Sequence, residues 1–193
     1  MHETDEERIW PVVVNGGDEN GVLERSSTIR AGVFGVQDGV VSNFGLIMGV
    51  AGAQISPGAV LVAGAAGLVS GAMSMGAGEY VSVRTQRELL EAGASIDEDA
   101  NVSPYRAAAA NAGLFAVGGS VPLLPFVFTS GIVAVMSSIV MSMFVLFGAG
   151  AALTKLTQRH PWRSGLRMLM IGGGAGALGY GLGTLLGSLV DVA

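Results

Sequence analysis

The stretch "GAMSMGAGEYVSVRTQREL", residues 71–89, begins with small and apolar residues and ends with charged ones. Two methionines and one carboxylate, Met73, Met75 and Glu79, lie just before the change. Lipid tails exclude charged side chains, so these gather where a helix leaves the bilayer. The stretch therefore indicates the end of a membrane-spanning helix, with an acid close to its edge.

The composition of the whole chain also indicates a membrane protein. Of the 193 residues, 50% are hydrophobic and only 13% are charged, with 31 glycines and a mean hydropathy of +0.57. Soluble domains usually carry about 25% charged residues. The net charge of −5 comes mostly from acids in the polar segments 1–24 and 88–99, so it does not imply a basic partner. No basic stripe exists that would bind nucleic acid.

The content of cysteine and histidine excludes several classes of site. The chain has no cysteine, which excludes disulfides, thiolate metal sites and iron–sulfur clusters. Its two histidines, His2 and His160, lie outside the apolar segments, so haem ligation by histidine, a zinc protease site and a Ser-His-Asp triad have no support. With no nucleophile–base pair in the membrane, we expect neither an enzyme nor a permanently bound cofactor.

Apolar segments long enough to span a bilayer occur five times. A helix needs roughly 20 mostly apolar residues to cross about 30 Å of hydrocarbon. The candidate spans are 31–53, 57–82, 107–128, 131–153 and 166–189. The sequence therefore predicts an all-α membrane protein with a polar N-terminal tail (1–28) and a five-helix transmembrane domain (29–190) that contains a short loop (84–106).

The positions of lysine and arginine predict the orientation of the spans. All ten lie in the N-terminal tail, near the loop between spans two and three, or near the loop between spans four and five. They are Arg8, Arg25, Arg30, Arg84, Arg87, Arg106, Lys155, Arg159, Arg163 and Arg167. Because positive residues stay on the cytoplasmic side, the N-terminus and the loop 84–106 are expected in the cytoplasm and the C-terminus outside.

Details of the loops add local predictions. The segment "RTQRELLEAG" is expected to extend the second helix, with i,i+4 pairs Arg84–Glu88 and Arg87–Glu91 and a stop at Gly93. The acidic turn after it, "SIDEDANVSP", is interpreted as a solvated segment in preference to a metal site.

Two further elements carry predictions about helix packing. Ser103 and Pro104 form a plausible N-cap and N1 pair, and "VPLLPF" (residues 121–126) is expected to kink or end the third helix. Glycines of span five, such as the pairs Gly172–Gly176 and Gly179–Gly183, permit close helix contact, inside one protomer or between two.

Two acids lie within the apolar spans and are the principal candidate site residues. Asp38 is about eight residues into span one, roughly 12 Å deep at 1.5 Å per residue. An aspartate near mid-membrane costs on the order of 2.5–3.5 kcal/mol on insertion scales, which favours a functional role. Glu79 is shallower. The structural alternatives are that Asp38 caps a broken helix and that Glu79 reaches the headgroups.

Helical spacing places both acids on faces of small and polar residues. Asp38 and Ser42 share a side of span one that continues through Gly45, Gly49 and Gly52, while Gly71, Met75, Glu79 and Ser82 share a side of span two. These faces must meet each other, a second copy of the chain, or water. Carboxylates with a thioether suit a borderline ion such as Fe²⁺ better than Mg²⁺, although methionine in a membrane is often only packing.

The residues that form these faces resemble those of a known family. The segments "RAGVFGVQDGVVSNFGLIMGVAGA" (30–53) and "GAMSMGAGEYVSVRTQREL" (71–89) strongly resemble the vacuolar iron transporter family, as do "VPLLPF" and "GLRMLMIGGGAGALGYGLGTLLG". The resemblance covers nearly all of residues 25–190. It implies a dimer of five-helix protomers that moves Fe²⁺, sometimes Mn²⁺, out of the cytosol in exchange for protons.

The resemblance also implies which residues would line the ion path. By position these are Asp38, Met75 and Glu79, with Met73 and Asn43 as further candidates. Well-studied members of the family insert a large Glu- and Met-rich cytoplasmic domain between spans two and three, whereas the loop here is too short to build it. Metal capture as known for the long forms is therefore not carried over.

Two functions remain open on the sequence alone. The first is a divalent-metal/proton antiporter, acting on metal ions and protons in a lipid bilayer as a homodimer, with a prokaryotic plasma membrane as the expected location. The alternative is a non-transporting membrane scaffold or subunit whose intramembrane acids are structural. A water-accessible cleft that reaches Asp38 favours the first, and a dry, ion-paired Asp38 favours the second.

Overall fold

Five helices make up the described part of the chain. The computed structural model describes residues 19–93, 103–157 and 160–190, and within them it contains no strand. The helices are α1 (Glu19–Gly52), α2 (Pro57–Glu91), α3 (Pro104–Phe128), α4 (Gly131–Thr157) and α5 (Pro161–Val190). Each contains a segment long and apolar enough to cross a membrane. The prediction of an all-α integral membrane protein with five spans is confirmed.

The ends of α1 and α2 refine the predicted boundaries. α1 begins at Glu19, well before the predicted start of the transmembrane domain at residue 29, although its apolar part begins at Gly32. Residues 1–18 of the predicted tail lie outside the described residues. α2 runs on to Glu91, and Gly93 follows it with a φ of 85°. A positive φ suits glycine, which explains the predicted stop.

The polar extension of α2 contains the predicted ion pair between Arg84 and Glu88. Arg84 Nε lies 2.9 Å from Glu88 Oε1, and both side chains are 60% exposed. Arg84 Nη1 also donates to the Tyr80 hydroxyl at 3.1 Å, and the Tyr80 ring lies 5.1 Å from that of Tyr105 on α3. An exposed pair of this kind contributes little to stability. Residues 95–102 of the predicted acidic turn lie outside the described residues.

The prolines of α3 do not end the helix. α3 continues to Phe128 through Pro122 and Pro125. Side chains of neighbouring helices bond to carbonyls near these prolines: Asn43 Nδ2 of α1 donates to Gly119 O at 2.7 Å, and Ser138 Oγ of α4 donates to Pro122 O at 2.8 Å. Such support from neighbouring protein is what an irregular helix needs within lipid. At the start of α3, Ser103 is at the N-cap position but its side chain makes no capping bond.

α1 lies at the centre of the bundle and packs against each of the other four helices. Its apolar side, predicted from the spacing of Val40, Phe44 and Ile47, is buried. Phe44 and Ile47 join Val60 of α2 and Phe126 of α3 in one core cluster. α1 therefore determines the positions of the elements around it.

The contact between α1 and α5, here called the glycine interface, consists of Gly45 and Gly49 facing Gly179 and Gly183. A Cβ at Gly179 would overlap the backbone carbonyl of Gly45, and one at Gly183 would overlap that of Gly49. The backbones therefore touch, as small residues at four-residue spacing allow. The span-five glycines thus serve contacts inside the protomer, a question that the sequence had left open.

A second close contact fixes α3 against α1. A Cβ at Gly39 would overlap the carbonyl of Phe115, and one at Gly118 would overlap that of Val36. The side chains of Phe115 and Asn111 on α3 are buried. This contact brings the polar parts of α1, α2 and α3 together at one place in the bundle.

Candidate metal-ion site

A cavity of about 240 Å³ lies between α1, α2 and α3. The residues that line it are Asp38, Ser42, Asn43, Leu46, Gly67, Ser70, Gly71, Ser74, Met75 and Phe115. Ser42, Ser70 and Ser74 are exposed, so the cavity opens onto the outer surface of the protomer. Its volume accommodates several water molecules or a partly hydrated ion.

Asp38 contributes a carboxylate that no other described side chain neutralises. Among the described residues, its side chain makes no ion pair or hydrogen bond. The Ser42 hydroxyl donates to the backbone carbonyl of Asp38 at 2.6 Å and therefore does not occupy the carboxylate. Asp38 is half-buried and in contact with the cavity. It is neither a helix cap nor a dry, ion-paired acid, and the alternative in which it caps a broken helix has no support in the geometry.

Asn43 contributes an amide oxygen whose orientation is fixed. Its Nδ2 donates to Gly119 O, and because a carbonyl can only accept, the amide nitrogen must face α3. The Oδ1 atom then faces α2, where a Cβ on Gly67 would lie 2.9 Å from it. Asn43 is 2% exposed and Oδ1 has no hydrogen-bond partner. A buried acceptor without a donor is uncommon, and a cation in the cavity would satisfy it.

The two methionines of α2 have different surroundings. Met75 lines the cavity together with Asp38, so the structure brings these two predicted residues to one site. Met73 is 70% exposed and is not part of the cavity lining. The sequence pattern had placed both near the acid, but residues two apart on a helix point in nearly opposite directions.

Glu79 lies one helical turn beyond Met75, outside the cavity. Its Oε2 accepts a hydrogen bond from Asn111 Nδ2 at 3.1 Å. Asn111 of α3 is 8% exposed and precedes Phe115, a cavity residue, by one turn. The pair therefore lies next to the cavity, on the side of the polar extension of α2.

The small-residue face predicted for α1 divides into two parts. Asp38 and Ser42 line the cavity, whereas Gly45 and Gly49 form the glycine interface and Gly52 packs against the backbone of Tyr180. The expectation of one continuous polar face is therefore corrected. Its glycine half is covered by α5 of the same chain.

Several cavity residues were not predicted. Phe115, Ser70 and Ser74 of the lining were missed, as was Asn111 beside the cavity. Of these, Asn111 carried a detectable signal, since a buried amide within an apolar span is nearly as unusual as an acid. The serines gave none, because hydroxyls in membrane helices commonly bond to their own backbone. Ser70 does so, donating to Gly67 O at 3.3 Å.

The donor set mixes hard oxygen ligands with one soft sulfur. Within the described residues, no three side chains of the His, Asp and Glu type converge as in a resident metal centre. The cavity instead offers one carboxylate, one amide oxygen, hydroxyls and a thioether. Such a set binds a cation weakly and offsets part of its charge. Such an environment suits transient passage of a borderline divalent ion better than permanent binding.

Comparison with known proteins gives one family match. The family model described as the VIT family matches residues 29–99 and 90–184 of the chain. The two matched segments together contain the whole of α2, α3 and α4, most of α1 and most of α5.

Curated plant proteins are similar to the chain over most of its length. Vacuolar iron transporter homolog 3 of Arabidopsis thaliana is 36% identical over 175 residues, which is 86% of this chain and 86% of that protein. Vacuolar iron transporter homolog 2 of the same plant is 37% identical over 173 residues, 85% of this chain and 87% of that protein. Vacuolar iron transporter homolog 1 of Oryza sativa subsp. japonica is 36% identical over 211 residues, 97% of this chain and 91% of that protein.

Proposed function

This chain belongs to the VIT family, and on that premise we propose that it exports a divalent transition-metal ion, Fe²⁺ or Mn²⁺, from the cytosol in exchange for protons. The observation that carries the proposal is the cavity between α1, α2 and α3, lined by an Asp38 carboxylate that has no partner among the residues the structure describes. An unneutralised acid inside a membrane domain is costly, and a passing cation compensates that cost. The scaffold alternative expected a paired acid.

The path that we propose starts at Glu79 and leads to Asp38. Glu79 is one turn, about 6 Å, from Met75, and Met75 shares the cavity with Asp38. The ion would first meet a carboxylate near the polar end of α2, then the sulfur of Met75, and then the Asp38 carboxylate with Asn43 Oδ1. Asn43 is the best supported of the secondary ligands, because the residue lines the cavity and its oxygen is buried without a hydrogen-bond partner.

Exchange of metal for protons would use the same carboxylate for both. Asp38 has no competing partner in the described part of the chain, so it can hold a proton or a divalent ion but not both. Binding of one therefore displaces the other, which is the competition that antiport requires. The cargo ion is a substrate in this scheme, and no resident cofactor enters it.

A homodimer is part of the proposal. The cavity opens through Ser42, Ser70 and Ser74 onto the outer face of α1 and α2, within the apolar segments of both helices. A polar opening against lipid tails is unfavourable, and the same face of a second copy would close it. Met73, exposed on α2, would approach an ion path only through such a second copy.

We do not assign the protein to a particular cellular membrane. The protein is integral to a membrane, and the matched relatives are plant proteins whose names carry the word vacuolar. They give no support to the expected prokaryotic plasma membrane.

The direction of export depends on the orientation of the helices, which cysteine labelling tests. The chain has no native cysteine, so single cysteines at Ser130, between α3 and α4, and at His160, just before α5, can be labelled with an impermeant reagent. Both positions are exposed. We expect label on Ser130→Cys from outside only and on His160→Cys from the cytoplasmic side only. Labelling of both from one side would contradict the five-span orientation.

Transport itself is tested in proteoliposomes. Uptake of Fe²⁺, Mn²⁺, Co²⁺ and Zn²⁺ is compared with and without a pH gradient, and internal pH is recorded with a trapped dye. We expect uptake of Fe²⁺ and Mn²⁺ that an acidic lumen drives and that alkalinises the lumen in proportion, because protons leave as the metal enters. Glu88→Gln, at an exposed acid outside the cavity, is the matched control and should transport normally. No metal uptake under any gradient would favour the scaffold.

A further inference from the structure

The contact between Asn111 and Glu79 leaves one buried polar atom without a hydrogen-bond partner. Asn111 Nδ2 donates to Glu79 Oε2, while Asn111 Oδ1 is buried and has no hydrogen-bond partner. Buried polar atoms in proteins are nearly always paired, and an unpaired one at a functional site needs an explanation. A residue placed only to hold two helices together would be expected to satisfy both ends of its amide.

The Glu79–Asn111 pair lies one helical turn from the cavity. Along α2, Glu79 follows Met75 by one turn, and along α3, Asn111 precedes Phe115 by one turn. Both Met75 and Phe115 line the cavity. An ion that left the Glu79–Asn111 pair would therefore need to move only about 6 Å to reach the cavity.

The surroundings of Asn111 allow its amide to turn over. The amide oxygen and nitrogen are similar in size, and rotation about the Cβ–Cγ bond by half a turn exchanges them. Gly35 of α1 lies on the side of the amide that faces away from Glu79, and a Cβ there would be 2.8 Å from Oδ1. Oδ1 has no hydrogen bond to lose there, so the turn breaks only the bond to Glu79 and moves the N–H group to the unpaired side beside Gly35. A cation bound between Oδ1 and the carboxylate replaces the broken bond.

We propose that Glu79 and Asn111 form a second cation site, one helical turn from the Asp38 cavity, in which the amide turns over so that Oδ1 and the carboxylate both face the ion. Without an ion, the Asn111 N–H group bonds to the carboxylate and holds it in place. With an ion, two protein oxygens bind it and water completes the shell, as hard divalent cations accept. The inference rests on the proposed function, since the ion is the transported one before it enters the cavity.

The probe for this site is Mn²⁺, whose binding to the purified full chain is followed by electron paramagnetic resonance. Asp38→Asn serves as the background, because it removes the carboxylate of the cavity. In that background, Asn111→Asp adds a second carboxylate and should tighten Mn²⁺ binding about tenfold or more, since affinity follows the charge of the ligands. Asn111→Leu keeps the volume but supplies no oxygen, and should weaken binding by about the same factor. Glu79→Gln should abolish it.

The loss expected from Asn111→Leu decides whether Asn111 is a ligand, because Asn111→Asp adds a carboxylate beside Glu79 in either case. Mn²⁺ binding that is unchanged in Asn111→Leu would overturn the proposal. Thermal unfolding of each variant is recorded alongside, and if Asn111→Leu fails to fold, Asn111→Ala gives the same test, because it also lacks the oxygen.

Flux measurements keep this inference apart from the proposed function. If the unmodified protein transports no metal while Mn²⁺ binding still depends on Asn111 as expected, the transport proposal fails and the second site stands. If transport is intact but binding does not respond to Asn111, only the second site is wrong.

Discussion

Glycines lie at two interfaces of α1, with opposite results. At the glycine interface, glycines of α1 meet glycines of α5, and the two backbones touch. At the contact with α2, here called the cavity interface, the glycines of α2 receive large side chains: Leu46 packs onto Gly67, and the ring of Phe115 from α3 packs onto Gly71. Those side chains keep the helices apart, and the space between them becomes the cavity.

The difference shows that a run of small residues does not by itself predict close packing. Two of the buried polar atoms without partners, Asn43 Oδ1 and Asn111 Oδ1, lie on the side of α1 that faces α2 and α3. At the glycine interface the facing groups are glycines and backbone carbonyls. The closed interface therefore fixes the scaffold, while the open one is available for an ion. Substitutions at the two interfaces should accordingly change different properties.

The largest effect is expected at the cavity interface from Asp38→Asn. This change should reduce metal flux in proteoliposomes to the level of protein-free liposomes, because the amide cannot exchange a proton for a metal ion. The thermal stability should be equal or higher, since amide and carboxyl have similar shapes and the neutral group avoids the cost of charge in the membrane. Full transport by this variant would refute the mechanism, and loss of folding would favour a structural acid.

The second prediction concerns the glycine interface, where Gly183→Ala should destabilise the fold. The added methyl group would overlap the carbonyl of Gly49 and force the helices apart, which typically costs about 1–3 kcal/mol. Gly181→Ala is the matched control, because no atom lies within 4 Å of a Cβ there, and it should be neutral or stabilising by helix propensity. The thermal unfolding of both in detergent checks the difference. Equal stability of the two would show that the interface is looser than described.

An intermediate effect is expected from Met75→Leu at the cavity. Leucine has a similar volume but no sulfur, so the variant should fold normally, keep part of its flux, and change its preference among Fe²⁺, Mn²⁺, Co²⁺ and Zn²⁺. Met73→Leu, the same change at the exposed methionine, should leave the preference unchanged if the path lies within one protomer, and should change it if a second copy brings Met73 to the path. Competition assays with pairs of metals measure the preference of each variant. A change caused by Met73→Leu alone would place the path at the outer face of α2.

The smallest effect is expected from Glu79→Gln, next to the cavity. The amide keeps the size of the side chain but removes the charge that attracts the ion, so the metal concentration for half-maximal flux should rise several-fold while maximal flux changes little. Initial rates over a range of Mn²⁺ concentrations give both quantities, with Glu88→Gln as the control on the same helix. Loss of maximal flux with unchanged half-saturation would mean that Glu79 takes part in translocation itself.

The candidate site was partly predictable because charge in lipid is costly. Asp38 could be selected from the sequence, since an acid within an apolar span rarely lacks a reason. Met75 followed from its four-residue spacing to Glu79, and the structure places it beside Asp38. Asn111 could not be assigned to Glu79, because 32 residues separate them and no helical period relates one helix to another.

The sequence by itself determined the number of spans, since the thickness of a bilayer requires about 20 apolar residues for each crossing and charged segments must lie between them. It also determined that α1, α2 and α5 would present small residues. Only the tertiary structure decided which of these residues would touch. Gly183 contacts the backbone of Gly49, so α1 and α5 pack closely, whereas the ring of Phe115 packs onto Gly71 and a cavity lined by Asp38 remains. The reason is that helices within lipid associate through the shapes of both surfaces, and a helical period describes only one surface at a time.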